Sequence, residues 1–433
     1  MPSPESARTR LLEIYAAAVE AVQGQRCVRA YLSKYIATRT QPGASPPRSV
    51  DHPEGGADHP ITLSGPIYVI ALGKAACSMT RGALDVLGET IADAYVVTKD
   101  GYAENLPWPC YTAGHPLPDA RSLTAGTALV EFIAALPRDA EVLVLLSGGA
   151  SALVEYPATG IDLTQLRAAN ELLLAAGLDI AQCNRVRKSL SLIKGGRLAA
   201  FLTPRAVLCL AISDVPRDDP AIIASGPLVE DTQRGDTDIP ELPDFLRQSL
   251  QHPPPRPDHN AFRTVRMEII ATLNQAKTAA ATAARQLGYH VIVHPTLITG
   301  DAAAAGERLA QQLRAANPGD LHIWGGETTL RLPPSPGRGG RNQHLALAAA
   351  LSLQAYPNVL LLAAATDGSD GPGEDAGALV DGETLARAAL HDVDATTALV
   401  AADAGSLLAA SGDLIATGPT GTNVMDIMLG LKY

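Results

Sequence analysis

The sequence predicts an α/β protein of two domains with mainly parallel sheets, preceded by an N-terminal helical segment. The length of 433 residues suggests two domains or three. Short apolar runs alternate with longer stretches of helical periodicity, and this alternation implies helical crossovers between parallel strands. A polar, proline-rich segment at 230–262 interrupts the alternation, so we place the domain boundary there.

The individual elements follow from the periodicity of the apolar residues. Residues 5–38 have the pattern of one or two amphipathic helices, and a loop rich in proline and glycine follows at 41–61. Strands are predicted at 67–72, 94–98, 141–146, 206–212, 265–271, 291–294, 321–324 and 359–364. Helices are predicted between them at 119–136, 162–177, 183–202, 274–287, 300–316 and 341–355. We therefore expect an N-terminal helical segment at 1–45, a Rossmann-like α/β domain at 60–235 and a C-terminal α/β domain at 255–433.

Composition excludes several classes of protein. The net charge of −11 argues against a nucleic-acid-binding protein or one that grips an anionic membrane surface. The sequence has neither an apolar run long enough to span a bilayer nor the apolar core of a signal peptide. The five cysteines form no CxxC pair, which is typical of small core residues in a reducing compartment. We expect a soluble, cytoplasmic protein.

Chemically reactive residues follow most of the predicted strands. Ligands of open α/β sheets bind beyond the carboxyl ends of the strands, so residues there are candidates for a site. Five strand ends carry such residues: Lys74; Ser147, Gly148, Gly149, Ala150 and Ser151; Asp214; Glu327; and Asp367. Turn chemistry alone is a poor explanation for five such ends, so we predict a ligand site.

The glycine-rich stretch 147–151 is a candidate anion site. Its glycines allow close approach of the backbone to a ligand, and its N–H groups can point at an anion. Lys74 can reach a phosphate as a point charge or stabilise a leaving oxygen. The alternatives are an ordinary strand-to-helix turn with a serine cap, and a lysine that extends into solvent.

Further cations occur in a loop and in a helix. Arg341 and Asn342 end a glycine-flexed loop at 338–343, and the arginine fork suits phosphate oxygens. Arg185 and Lys188 lie in the predicted helix 183–202 and are candidate anion ligands. The alternatives are a mobile surface loop and a solvated helix face.

Three strand-end carboxylates, Asp214, Glu327 and Asp367, are candidate ligands of Mg²⁺. This ion prefers one or two carboxylates together with water and phosphate oxygens, so scattered carboxylates suit a magnesium nucleotide. The alternative for each is a helix cap. The ten histidines show no metal-ligand spacing. Among them, His115 is singled out by its predicted loop, GHPLPD at 114–119.

Several common motifs are missing from the sequence. It contains no P-loop motif, no G-x-G-x-x-G after a strand and no G-x-S-x-G. The second absence weakens a nicotinamide-dependent activity, and the third removes the usual signature of an α/β-hydrolase.

Nine segments together closely resemble the type II glycerate kinases, or glycerate 2-kinases, which carry a C-terminal MOFRL region. The segments are GKAACSM (73–79), GHPLPDARS (114–122), LSGGASALVEYP (146–157), CNRVRKSLSLIKGGRLA (183–199), ISDVPRDDPAIIASGP (212–227), GGETTLRL (325–332), GRGGRNQ (337–343), TDGSDGP (366–372) and GPTGTNV (418–424). The resemblance runs from about residue 10 to 430 in the family's order. Some members of this family were earlier labelled hydroxypyruvate reductases.

The resemblance implies ATP-dependent phosphorylation of D-glycerate at its 2-hydroxyl, giving 2-phosphoglycerate and ADP with Mg²⁺ or a similar ion. It also implies a MOFRL-type C-terminal domain and an active site in the cleft between the domains, with Lys74 and Arg341 as catalytic residues. The expected partners are small-molecule substrates, and a homodimer is left open. His344 stands where the family usually has an acid, and Met425 stands where a polar residue is common.

Two other functions are alternatives to the kinase. One is an NAD(P)H-dependent reductase of hydroxypyruvate or tartronate semialdehyde, which rests on the old family label. The other is a non-catalytic sugar-acid binding protein that retains the fold. The choice of the 2-hydroxyl comes from the resemblance, and the residues do not identify which loop binds adenine.

Overall fold

The computed structural model describes residues 3–39, 61–63, 65–175, 180–232 and 242–433. Most of the predicted loop at 41–61 and part of the predicted boundary at 230–262 lie outside the described residues. The chain forms two compact units. The central unit is Gly24–Ala271, and the terminal unit combines Met1–Gln23 with Thr272–Tyr433.

Helices and strands alternate along most of the described chain. The helices are α1 (Pro4–Ala21), α2 (Gly24–Arg39), α3 (Ala76–Leu87), α4 (Ala120–Ala135), α5 (Ala150–Leu153), α6 (Leu163–Ala175), α7 (Ile180–Ser189), α8 (Arg197–Leu202), α9 (Asp244–Gln251), α10 (Leu273–Gln286), α11 (Ala302–Ala315), α12 (Arg341–Leu353), α13 (Thr384–Ala389), α14 (Ala395–Val400) and α15 (Ala404–Ser411). The strands are β1 (Ile67–Leu72), β2 (Ile91–Lys99), β3 (Cys110–Ala113), β4 (Glu141–Leu146), β5 (Ala206–Ile212), β6 (Val265–Ala271), β7 (His290–Val293), β8 (Asp320–Gly326), β9 (Val359–Ala365), β10 (Gly377–Asp381), β11 (Leu414–Ile415) and β12 (Asp426–Lys432).

The central unit is built on a parallel sheet with the strand order β3-β2-β1-β4-β5-β6. Its inner strands are apolar runs buried on both faces, as expected of parallel strands covered by helices. Leu129 and Ile133 of α4 belong to one buried cluster with Val144 of β4. Leu72 and Leu146 are partners in the β1–β4 register, so these strands end at the same level of the sheet.

The terminal unit contains a mixed sheet with the strand order β11-β10-β9-β12-β8-β7. Four strands (β7, β8, β9 and β11) run in one direction, and β10 and β12 run antiparallel to their neighbours. Helices α11 and α12 cover one face, where Leu309, Leu345 and Met428 belong to one core. The predicted α/β class is confirmed for both units, whereas β3 of the central unit and β10, β11 and β12 of the terminal unit were not predicted.

The N-terminal helical segment divides between the two units. Helix α1 belongs to the terminal unit, where Arg8 forms ion pairs of 2.7 Å with Asp381 and 2.6 Å with Asp413. Helix α2 belongs to the central unit and packs on α3, where Gly82 leaves room for the backbone of Gln25. The central unit ends at Ala271 and the terminal unit resumes at Thr272, so these boundaries differ from the predicted 60–235 and 255–433.

Among the described residues, no helix has both the length and the apolarity needed to cross a membrane.

Candidate active site

The turns after β1 and β4 are joined by hydrogen bonds. Lys74 N donates to Gly148 O at 2.9 Å, and Ala75 N donates to Ser147 Oγ at 3.0 Å. Gly73 has a φ of +122°, and a Cβ at this position would overlap the Ser147 side chain. The buried Ser147 hydroxyl, which the sequence predicts as an anion ligand, therefore accepts a hydrogen bond inside the fold and holds the backbone that carries Lys74.

The side chains of Lys74 and His115 lie against Gly149. A Cβ on Gly149 would be 3.2 Å from both Lys74 Cγ and His115 Nε2, and the φ of +84° also favours glycine. Burial and the charges of Lys74, Lys99 and Arg187 hold the pKa of His115 well below 6.5. We call Lys74, Lys99, His115 and Arg187 the Lys74 cluster. It places three cations around an imidazole that is neutral at pH 7.

Two other residues of the predicted anion-binding stretch 147–151 contact the rest of the protein. Ala150 is buried, and Ser151 Oγ lies 3.3 Å from Ser225 Oγ. Asp214 is half-buried and follows β5, which pairs with β4. The carboxyl ends of β1, β4 and β5 thus bring Lys74, the glycine turn and Asp214 to one edge of the central sheet.

Helix α7 directs its basic residues to different surroundings. Lys188 is buried, and its Nζ donates to Asp231 Oδ1 at 3.0 Å. Arg187 instead contributes to the low pKa of His115, and burial also lowers the pKa of Arg187 itself. Arg185 is half-buried. The geometry therefore favours Arg187 over the predicted Lys188 as a ligand of an anion.

Arg341 lies among carboxylates at the edge of the terminal sheet where β8 and β9 end and β12 begins. Its guanidinium forms an ion pair with Glu327, and its Nη2 lies 3.7 Å from Asp426 Oδ2. Asp426 pairs with both Gly326 and Ala365 in the strand register. The Arg341 side chain remains 38% exposed, so it is accessible to a ligand.

The N-terminus of α12 is held by Asp370. Asn342 N and Gln343 N donate to its carboxylate at 3.0 and 2.8 Å. Burial raises the pKa of Asp370 to about 6 and that of Asp426 to about 7, while the charge of Arg341 opposes both shifts. We call Arg341, Glu327, Asp370 and Asp426 the Arg341 cluster.

Two predicted residues lie beside the Arg341 cluster. The Asn342 side chain is fully buried, and its Oδ1 has no hydrogen-bond partner in the described part of the chain. Asp367 is buried at the end of β9 and accepts a hydrogen bond from Ser369 N at 3.0 Å. The predicted metal ligands Glu327 and Asp367 thus lie in the terminal unit, whereas Asp214 lies in the central unit. Within the described ranges, no group of three or more His, Cys, Asp or Glu side chains is arranged to hold a metal ion.

The predicted site residues did not include Lys99, Arg187, Asp370 or Asp426. Lys99 ends β2, so the strand-end criterion could have found it. Asp370 lies within the quoted segment 366–372. Asp426 begins a strand, and that strand is antiparallel to β8 and β9. A search limited to residues that follow strands cannot find such a position.

Comparison with known proteins shows similarity along the whole chain. The DUF4147 model, described as a domain of unknown function, matches residues 10–242, and the MOFRL family model matches residues 320–426. A D-glycerate 2-kinase from Thermotoga maritima is 33% identical, with 100% of both chains covered. A putative hydroxypyruvate reductase from Agrobacterium vitis is 36% identical, covering 84% of this chain and 98% of that protein.

The fold is also similar to a solved structure. The crystal structure of a glycerate kinase from Thermotoga maritima matches with a TM-score of 0.78 and 32% identity, covering 99% of this chain and 100% of that one. Both units are thus matched in sequence and in fold, and the family resemblance of the nine segments is confirmed. The chain belongs to the type II glycerate kinase family, in which a DUF4147 region is followed by a MOFRL region.

Proposed function

We propose that the protein phosphorylates glycerate, transferring the γ-phosphoryl group of ATP to the 2-hydroxyl of D-glycerate to give 2-phosphoglycerate and ADP. The observation that carries this proposal is the Lys74 cluster. A chain with a net charge of −11 concentrates three cations near one half-buried imidazole at the carboxyl end of a parallel sheet. The relatives named glycerate kinase support the same substrate.

The Lys74 cluster is assigned to the acid substrate. Glycerate carries a carboxylate at every pH of interest, and Lys74, Lys99 and Arg187 provide the opposite charge. The three cations are half-buried, so water screens this attraction less than it would at a fully exposed site. The neutral His115 ring can hydrogen bond to a substrate hydroxyl without adding charge. The glycine turn at 148–149 allows the substrate to approach the backbone closely.

The Arg341 cluster is assigned to the magnesium nucleotide. Glu327 and Asp367 of the terminal unit would hold Mg²⁺ together with water and phosphate oxygens, and Asp426 lies in the same unit. The donor set fits this ion because all its members are hard oxygen ligands, and Asp426 Oδ2 is buried without a hydrogen-bond partner among the described residues. When bound, Mg²⁺ would neutralise charge on the phosphate oxygens of ATP.

Lys74 and Arg341 are the proposed catalytic residues. In phosphoryl transfer, the protein acts mainly by positioning the reactants and by stabilising the charge on the transferred group. A lysine provides a compact point charge, and an arginine provides a planar fork that matches two phosphate oxygens. Glu327 orients the Arg341 fork through their ion pair.

The activity test is a product assay with purified protein, ATP, Mg²⁺ and D-glycerate. We expect a product that enolase converts directly, because enolase accepts 2-phosphoglycerate. A product that enolase accepts only after phosphoglycerate mutase is added would contradict the 2-position. No ADP above the glycerate-free blank would contradict the kinase activity itself.

A reductase is the second candidate, because the Agrobacterium vitis relative is named a putative hydroxypyruvate reductase. The sequence has no G-x-G-x-x-G after a strand. Oxidation of NADH by hydroxypyruvate in the presence of the protein would support this candidate. We expect no oxidation above the enzyme-free blank.

A further inference from the structure

A cavity of about 760 Å³ lies within the terminal unit between α1 and the end of β11. One wall is formed by successive turns of α1, and the opposite wall by β11 and the segment that follows it. Residues that line it include Leu12, Tyr15, Ala16 and Val19 on α1, and Ile415, Ala416, Thr417 and Thr420 opposite them. Its volume falls within the range of about 300–1,000 Å³ that is typical of small-molecule sites.

Two residues that line the cavity are hydrogen bonded to the end of β9, near the Arg341 cluster. Tyr15 lines the cavity, and its hydroxyl donates to Ala365 O at 2.7 Å. Ala365 pairs with Asp426, whose Oδ2 lies 3.7 Å from Arg341. Since neighbouring strands are about 5 Å apart, these steps amount to on the order of 10 Å. Thr420 forms a second connection, because its hydroxyl donates to Thr366 O at 2.6 Å.

The lining indicates a neutral occupant with polar edges. Arg8 lines the cavity, but its guanidinium is engaged by Asp381, Asp413 and the carbonyl of Leu379. A phosphate in this cavity would therefore compete with two carboxylates for that cation. Leu12, which is 39% exposed, presents apolar surface there instead. Gln23 and Thr417 add polar groups to the lining.

We propose that this cavity is the nucleoside subsite, which binds the adenine and ribose of ATP while the triphosphate extends along the sheet edge to the Arg341 cluster. A flat heteroaromatic base packs between Leu12, Ala16 and Ala416. Gln23 and Thr417 hydrogen bond to the polar edges of the base and the ribose. This inference rests on the proposed function, since it locates the nucleotide which that function requires.

The test fills the cavity and compares a ligand that has a nucleoside with one that lacks it. Ala16→Phe places a ring in the cavity from an exposed position of α1, and Glu13→Phe places the same ring on an exposed position outside it. Titration calorimetry measures the binding of Mg²⁺–ADP and of Mg²⁺–tripolyphosphate. We expect Ala16→Phe to weaken ADP binding by at least about 10-fold and to change tripolyphosphate binding by less than about 2-fold. Glu13→Phe should bind both ligands like the unmodified protein.

Leu12→Glu is a second variant, because it introduces a carboxylate on the same wall and also lies at an exposed position. We expect the same selective loss of ADP binding. Unchanged ADP binding in both cavity variants, or equal weakening of ADP and tripolyphosphate, would overturn the nucleoside assignment. The readout is binding, so it decides the inference even where the product assay finds no phosphorylated glycerate.

Discussion

The Lys74 cluster and the Arg341 cluster lie at the strand ends of two different sheets and have opposite charge. In the Lys74 cluster, burial and the charges of three cations hold the pKa of one histidine well below 6.5. In the Arg341 cluster, one arginine lies among carboxylates, and burial raises the pKa of Asp426 to about 7. The two clusters therefore occupy similar positions relative to their sheets but carry side chains of opposite charge.

This difference matches the two substrates of a glycerate kinase. An acid substrate brings negative charge alone, so it needs the cationic cluster. A nucleotide brings Mg²⁺ with its phosphates, so carboxylates beside an arginine suit it. We therefore propose that each cluster binds one substrate, on the basis of the charge at the strand ends rather than of the fold.

The largest expected effect is the loss of either catalytic cation. Lys74→Ala and Arg341→Ala should each lower kcat by about 10²-fold or more, because a preorganised charge on the transferred group is lost. Steady-state kinetics with saturating ATP and D-glycerate measures this. Arg81→Ala is the matched control, since Arg81 is a partly exposed arginine on α3 paired with Glu104. A kcat like that of the unmodified protein in either variant would remove that residue from the mechanism.

A smaller loss is expected from crowding the glycine turn. Gly149→Ala introduces a Cβ beside Lys74 and His115 at a φ of +84°, which should displace the lysine and lower kcat by about 10-fold. Gly101→Ala is the control, because Gly101 has a similar φ of +80° with no atom within 4 Å of the added Cβ. If both variants show the same kcat, the packing of Lys74 on Gly149 has no role in catalysis.

Substitution of Arg187 and of Lys188, which are adjacent on α7, tests which of these cations contributes to the Lys74 cluster. Arg187→Ala should raise KM for D-glycerate by about 10-fold, because it removes one cation of the Lys74 cluster. Lys188→Ala should leave KM unchanged and lower the free energy of unfolding by roughly 1–3 kcal/mol, because Asp231 loses its 3.0 Å partner and keeps Arg256 at 3.9 Å. Kinetics and urea unfolding of the two variants measure these effects. A change in KM for Lys188→Ala alone would reverse the assignment.

The smallest expected effect concerns the pH dependence of stability. His115 is neutral in the folded protein, so as pH falls through about 6.5 the unfolded chain binds a proton that the folded chain does not. The contribution of His115 to folding stability should therefore fall as pH falls from about 7 to 5, by up to about 1.4 kcal/mol per unit, whereas the raised pKa values of Asp370 and Asp426 contribute with the opposite sign. Urea unfolding of His115→Gln should lack the His115 contribution, so the stability lost by the unmodified protein relative to the variant should grow as pH falls. An identical dependence in the variant would contradict the low pKa.

The fold was predictable where strands are buried apolar runs. The structure has β1, β4, β5 and β6 at the predicted bounds. Strands β1, β4 and β5 are largely apolar runs followed by polar or glycine residues, whereas β6 contains Arg266 and Glu268 and is mostly half-buried. Strands β3, β10, β11 and β12 were missed. Strand β11 has only two residues, β3 is mostly not buried, β10 contains only three consecutive apolar residues, and Gly430 interrupts the apolar pattern of β12. The antiparallel insertion of β12 depends on long-range pairing, which local periodicity does not report.

The site was predictable as far as it follows the carboxyl ends of parallel strands. Lys74, Glu327 and Asp367 were found by that criterion. Arg187 and Lys188 are adjacent in sequence, so their different surroundings depend on how α7 packs. Asp426 lies at the start of an antiparallel strand and reaches the same sheet edge from the opposite direction.

The central claim is that the Lys74 cluster binds D-glycerate and the Arg341 cluster binds the magnesium nucleotide. The most direct test is to measure by calorimetry the binding of D-glycerate and of Mg²⁺–ADP to Lys74→Ala and Glu327→Gln. Lys74→Ala should weaken D-glycerate binding by at least about 10-fold and leave Mg²⁺–ADP binding within about 2-fold. Glu327→Gln should show the reverse pattern. Equal weakening of both ligands in each variant, or the exchanged pattern, would contradict the assignment of one substrate to each cluster.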